Sequence, residues 1–179
     1  GTDISVYSFN YTDISLIDSS FEGLPVSYIH GSCKNNKVII GTKDDDVYDT
    51  NYDFLQKSFD DNFYPPRIVP ELMEADKIII FGHSLGVNDC QYFKSLFGRQ
   101  ANTEYAIRKE IIIFTYDNKS EIEIKRSLQK MTGSNLAALY SLNDIHIVKT
   151  SSPNDGEYTM EDFLAEFGPE TSTSPDISR

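Results

Sequence analysis

Four consecutive apolar residues, Ile78-Ile79-Ile80-Phe81, follow a charged Lys77 and stop at Gly82. An unbroken apolar run bounded in this way is what a strand buried on both faces looks like, so it reads as a central parallel strand. Gly82 and Gly86 then bracket His83, Ser84 and Leu85, and Val87, Cys90, Tyr92, Phe93, Leu96 and Phe97 recur at roughly helical spacing. The unit is strand, glycine-bracketed turn, helix. In an open α/β sheet, ligands sit at the carboxyl ends of strands, against turn N–H groups and helix N-termini. That edge would hold His83, Ser84, Asn88 and Asp89, the last two expected chiefly to pin the helix's first turn.

Similar punctuation runs along the rest of the chain. Ile4 to Phe9 alternates as a first strand ending at Asn10, and residues 14–25 read as a short helix or loop. Val26 to Ile29 is a second strand ending at His30-Gly31. Lys34-Asn35-Asn36-Lys37 is hairpin-turn chemistry before Val38-Ile39-Ile40, which brings Gly41 near His30. Phe54, Leu55, Ser58 and Phe59 suit an amphipathic helix over 51–62, closed by Tyr64-Pro65-Pro66. Pro70 opens a short helix to Ala75. Ile111 to Phe114 is a further buried strand leading to Tyr116-Asp117-Asn118. Ser120 and Glu123 have capping-box spacing for a helix to Gly133, another short helix spans Leu136 to Leu142, and Ile145 to Val148 is a last strand. Asp162 to Phe167 reads as a turn of helix, and 168–179, rich in Ser, Thr and Pro, as a disordered tail.

Strands alternating with helices call for an α/β fold, a three-layer sandwich with a mostly parallel, Rossmann-like sheet. At 179 residues and 39% hydrophobic content the chain can bury one core, a single domain over 1–167. Its net charge of −12 and pI near 4.5 repel phosphate backbones and anionic lipid, so nucleic acid is an unlikely partner. No apolar run approaches a membrane span and no signal-peptide pattern opens the chain, which implies a cytoplasmic protein. Cys33 and Cys90 have no metal-ligand spacing, histidines number three, and neither a metal site nor a disulfide is expected; Cys90 is expected in the core. The chain starts without Met just before a strand. That reads as part of a longer protein whose missing amino-terminal part is an expected partner, with self-association through an unpaired sheet edge as an alternative.

Two constellations could carry chemistry. Gly82-His83-Ser84-Leu85-Gly86 matches the nucleophile-elbow pattern G-x-S-x-G between strand and helix, and a serine hydrolase would use Ser84 as nucleophile, Asp117 as orienting acid and His146 as base. His146, inside an alternating strand, is poorly placed for that role. The second constellation spreads over strand ends: Asn10, His30-Gly31, the Gly82–Leu85 turn and Tyr116-Asp117-Asn118. A histidine titrates near neutral pH and can deprotonate a ribose hydroxyl or a water, and a glycine beside it lets a ligand approach the backbone.

In order and spacing, Phe9-Asn10-Tyr11-Thr12, Tyr28-Ile29-His30-Gly31, Ile39-Ile40-Gly41 and Gly82-His83-Ser84-Leu85-Gly86, with Asp89 and Tyr92-Phe93, resemble the carboxyl-terminal half of the AbiH family of bacteriophage abortive-infection proteins. The same stations are more distantly similar to a sirtuin NAD site. That resemblance implies a sirtuin-like sheet lacking its amino-terminal glycine-loop half, with Asn10 beside the nicotinamide ribose and His30 as general base. Gly82, Ser84 and Leu85, with His83 in the same turn, would contact the adenosine side, and Asp117 would complete the edge. The implied function is phage defence through an NAD cleft, with NAD glycohydrolysis as the reaction. A non-enzymatic module sensing a phage component is a further alternative. The likeness is incomplete: Thr12 or Asp13 stands for the family's acid, the zinc cysteines are missing, and no Gly-x-Gly-x-x-Gly occurs in the chain.

Overall fold

The sheet that organises the molecule is built from the two apolar runs. The computed structural model describes residues 4–13, 25–41, 46, 48–61 and 67–151. Within them β5 (Lys77–Phe81), β6 (Glu110–Thr115) and β7 (Asp144–Lys149) form a three-stranded parallel sheet in the order β5-β6-β7. Register pairs Ile78 with Ile111 and Ile80 with Ile113, and continues Ile111 to Ile145 and Ile113 to Ile147. Facing residues lie side by side on one surface of the sheet.

Ile111, Ile112 and Ile113 are wholly buried, so β6 is the central strand. Ile78–Phe81, expected in that place, instead lies at the edge: Ile78 and Ile80 are buried while Ile79 and Phe81 face solvent. An apolar run reports high β propensity, and position in the sheet decides whether both faces are covered.

Four helices complete the unit: α1 (Ile68–Glu74), α2 (Cys90–Gln100), α3 (Asn118–Met131) and α4 (Leu136–Leu142). Ile68, Leu96, Phe97, Ile124, Leu128 and Leu139 from these helices join Ile78, Ile80, Ile111 and Ile113 in one apolar cluster. Each such side chain contributes roughly 1.5–3 kcal/mol when fully buried. The class is α/β. The described helices contribute to one apolar cluster together with one surface of the sheet. On the opposite surface Ile112, Phe114 and Val148 form a small buried group of their own.

The remaining strands are short. β1 (Val6–Ser8) and β2 (Val26–Tyr28) pair in parallel, and β3 (Gly31–Ser32) and β4 (Lys37–Val38) form a small antiparallel hairpin. Tyr7, Phe9 and Ile29 tie this part to the main apolar cluster. The Tyr7 hydroxyl, bonded to Glu71 of α1, is pushed up to about 12 by burial and by that carboxylate.

Three local expectations change. The helix expected over 51–62 is a pair of 3-10 turns, Thr50–Leu55 and Lys57–Phe59, with Phe54 and Phe59 exposed, because no core surface faces them. Asp117, not Ser120, caps α3, accepting from the Ser120 backbone N–H and hydroxyl, each at 2.8 Å. Cys90 is half-buried, its thiol donating to the Val87 carbonyl at 3.2 Å, and both cysteines are free. The turn at 162–167, the tail at 168–179 and nearly all of 14–25 lie outside the described residues. No described helix is long and apolar enough to cross a membrane.

Candidate functional site

The ends of β1, β2 and β5 converge around Phe9. Its ring lies 5.7 Å, centroid to centroid, from His30 and 4.5 Å from His83. His30 is delivered by β2 and held by the hairpin behind it, its carbonyl accepting from Ile39 N–H at 2.9 Å. Gly31 makes that reversal feasible. It sits at φ +76°, and a Cβ there would lie 1.6 Å from the Lys37 carbonyl oxygen.

After β5 the chain enters a constrained turn. Gly82 adopts φ +62° and Leu85 φ +51°, the latter a fully buried side chain in left-handed backbone. Such a conformation costs about 1–3 kcal/mol and persists where surrounding contacts enforce it. Here the Leu85 N–H donates to Nδ1 of His83 at 2.9 Å. A neutral His83 therefore carries its proton on Nε2, the nitrogen that faces Asp89 Oδ2 at 3.5 Å.

Asp89 is the hub. It occupies the residue before α2, where an aspartate ordinarily caps, yet makes no side-chain capping bond. Its carboxylate instead accepts from His30 Nε2 at 3.0 Å and faces His83, with the Lys57 ammonium 3.7 Å from the oxygen that His30 uses. Burial pushes the Asp89 carboxyl up, but hydrogen bonds from His30 and His83, with the charges of His30 and Lys57, outweigh it and hold the group well below the ordinary carboxylate range. Asp89 is ionised at neutral pH.

An ionised carboxylate only accepts, so His30 carries a proton on Nε2. In the neutral ring Nδ1 is then a bare acceptor. His30 is 6% exposed, and Nδ1 is buried with no hydrogen-bond partner among the described residues. An orienting carboxylate behind an imidazole whose other nitrogen is unengaged is the arrangement of a general base. Tyr11 and Tyr92, with ring centroids 6.2 and 6.5 Å from that of His30, complete an aromatic surround.

The structure thus brings His30 and His83 together on Asp89. Asn10 lies past the end of β1, in a bend where its N–H donates to Ser8 Oγ at 3.2 Å, and the β1–β2 register, which stops at Ser8 and Tyr28, does not reach it. Its side chain is exposed. Gly82 and Ser84 are exposed too, and left-handed backbone falls on Gly82 and Leu85 rather than on Ser84, unlike a nucleophile elbow. Asp117 lies beyond β6 on the same edge with its carboxylate engaged in the α3 cap, and hydrogen bonds from Ser120 lower its pKa. His146 sits in mid-strand beside Ile112. Asp89, expected to pin the helix, is the acid of the site, and Lys57 had no role in the sequence reading. Among the described residues no group of three or more His, Cys, Asp or Glu side chains is arranged to hold a metal ion.

A family model described as bacteriophage abortive infection AbiH matches residues 2–110, more than half the chain. The chain belongs to the AbiH family. The match spans Asn10, His30, Lys57, His83 and Asp89, so the whole cluster lies within the AbiH-matched region. It ties the AbiH chain to phage abortive-infection defence and carries neither the sirtuin likeness nor a carboxyl-terminal placement. No curated protein and no solved structure matches the chain.

Proposed function

We propose that this AbiH-family chain serves abortive infection as a nucleotide hydrolase, with NAD as substrate and the His30–Asp89 pair as base. The observation that carries this reading is the buried Nδ1 of His30, without a hydrogen-bond partner among the described residues, behind an Nε2–Asp89 bond of 3.0 Å. Its setting supports it. The pair lies at the carboxyl ends of parallel strands, where α/β folds hold nucleotides, beside a strained turn at Leu85.

In this reaction a water attacks C1′ of the nicotinamide ribose. The C1′–N bond breaks with its electron pair going to nicotinamide, and the water's proton passes to His30 Nδ1. Asn10 positions the ribose or the water, and the Gly82–Leu85 turn faces the adenosine side.

The test is NAD consumption by the full-length protein, its His30→Gln variant and its Asp89→Asn variant. Loss of the base is expected to lower turnover by about 10²–10⁴-fold, with Asp89→Asn lowering it less. Unchanged turnover in His30→Gln rejects the base, and no NAD consumption by the unaltered protein rejects the substrate.

A further inference from the structure

Residues 48–60 run across the molecule as the two 3-10 turns, neither of which contains a buried residue. Their large apolar side chains point outward: Tyr48 is 94% exposed, Phe54 70% and Phe59 58%, with Tyr52 and Leu55 also exposed. Single exposed apolar side chains need no explanation, but five in twelve consecutive residues are a concentration that points to an interaction site. Tyr52 and Phe54 already lie ring against ring, with centroids 6.4 Å apart.

Charge selects the occupant. The same stretch carries Asp49, Asp53 and Asp60, flanked by Asp46 and Asp61, and its one basic residue, Lys57, is turned inward with its side chain 12% exposed. An acidic, aromatic surface on a chain of net charge −12 repels nucleic acid and anionic lipid and complements cationic polypeptide.

The strap is also fastened to the candidate base. Lys57 Nζ approaches the Asp89 oxygen that His30 bonds. The strap backbone lies flat on Gly41, where a Cβ would meet the Leu55 carbonyl oxygen at 2.6 Å and the Lys57 nitrogen at 3.0 Å. Two residues earlier, Ile39 N–H bonds the His30 carbonyl.

We propose that the 48–60 strap is the docking surface for a basic, apolar segment of a partner protein, and that docking acts on the His30–Asp89 pair through Lys57. The second half rests on the reading of His30 as base. Lys57 and His30 share one oxygen of the Asp89 carboxylate, so drawing Lys57 away acts directly on the hydrogen bond that orients the base.

The probe is a labelled, soluble lysine–leucine amphipathic peptide, titrated by fluorescence anisotropy into the full-length protein. Saturable binding is expected, weakened about tenfold or more in Phe54→Ser/Phe59→Ser, a variant expected to keep the melting temperature and circular dichroism of the unaltered protein. A peptide with glutamate for lysine is expected not to bind. Equal affinity of the two proteins, equal binding of the acidic peptide, or tighter binding of single-stranded DNA or of phosphatidylserine vesicles overturns the docking surface.

Coupling is read from the ring ¹⁵N resonances of His30. They are expected to shift on peptide addition in the unaltered protein and to stay fixed in Phe54→Ser/Phe59→Ser; binding without that shift overturns the link through Lys57. Because binding and the resonances are measured without NAD, failure of the hydrolase reading shows separately, as absent NAD turnover.

Discussion

In α2 and β6 the side chains of Phe97, Ile111, Ile112 and Ile113 have no contact with water, whereas between residues 48 and 59 Tyr48, Phe54 and Phe59 stand mostly in it. The two regions also differ in regularity. One is three paired strands under helices of seven to fourteen residues; the other, among the described residues, is strands of two or three residues with short 3-10 turns. Local opening costs least where few apolar contacts are buried, so the amino-terminal part is expected to open first. The candidate site straddles the difference. His83 and Asp89 come from the packed part, and His30 and Lys57 from the loose one. A base and the carboxylate that orients it thus belong to regions of unequal stiffness, a natural place for a partner to exert control.

The largest test of this contrast is a pair of matched truncations. Phe97→Ala is expected to cost about 3–5 kcal/mol, as for a fully buried phenylalanine, while Phe54→Ala stays within about 0.5 kcal/mol. Denaturant midpoints at a common m-value measure both, and similar losses would erase the distinction.

A smaller effect is expected at Gly31. Alanine there carries about 1–3 kcal/mol of left-handed backbone strain and, with its Cβ 1.6 Å from the Lys37 carbonyl oxygen, forces the hairpin open locally. Hydrogen exchange locates it: protection should fall around Ile39 and be kept in β6. A uniform fall would show that the two parts unfold as one unit.

The finest test is acid. Because the Asp89 carboxyl is held below its ordinary value in the folded protein, the stability it contributes is complete above the unfolded value of about 3.9 and drains away as pH falls further. Asp89→Asn lacks that component, so its stability should decline less steeply than that of the unaltered protein below about pH 4. Urea unfolding at stepped pH gives the two slopes, and parallel slopes would mean that the carboxylate's interactions do not favour its ionised form.

What could be read from the sequence follows the same division. β5, β6, β7 and the helices between them announced themselves because burial imposes a period, and the helical spacing from Cys90 to Phe97 is burial written into residue order. Segment 51–62 misled because Phe54, Leu55 and Phe59 imitate a helical stripe while Asn51, Tyr52 and Asp53 resist a helix and no core surface faces them. At the site, His30 and His83 were visible as residues at strand ends. Asp89 was mistaken for a cap since an aspartate opening a helix usually is one, and its diversion depends on two imidazoles distant in sequence. Lys57, a lone cation among aspartates, left no pattern to read.

The bond from Leu85 to the ring of His83 has one more consequence. It spends the lone pair of Nδ1, so the tautomer that carries its hydrogen there would set two hydrogens face to face and is excluded. The unusual torsion at Leu85 is thereby answerable to a proton's address: a turn shaped by covalent geometry and packing is latched by a ring that keeps its hydrogen on the far nitrogen.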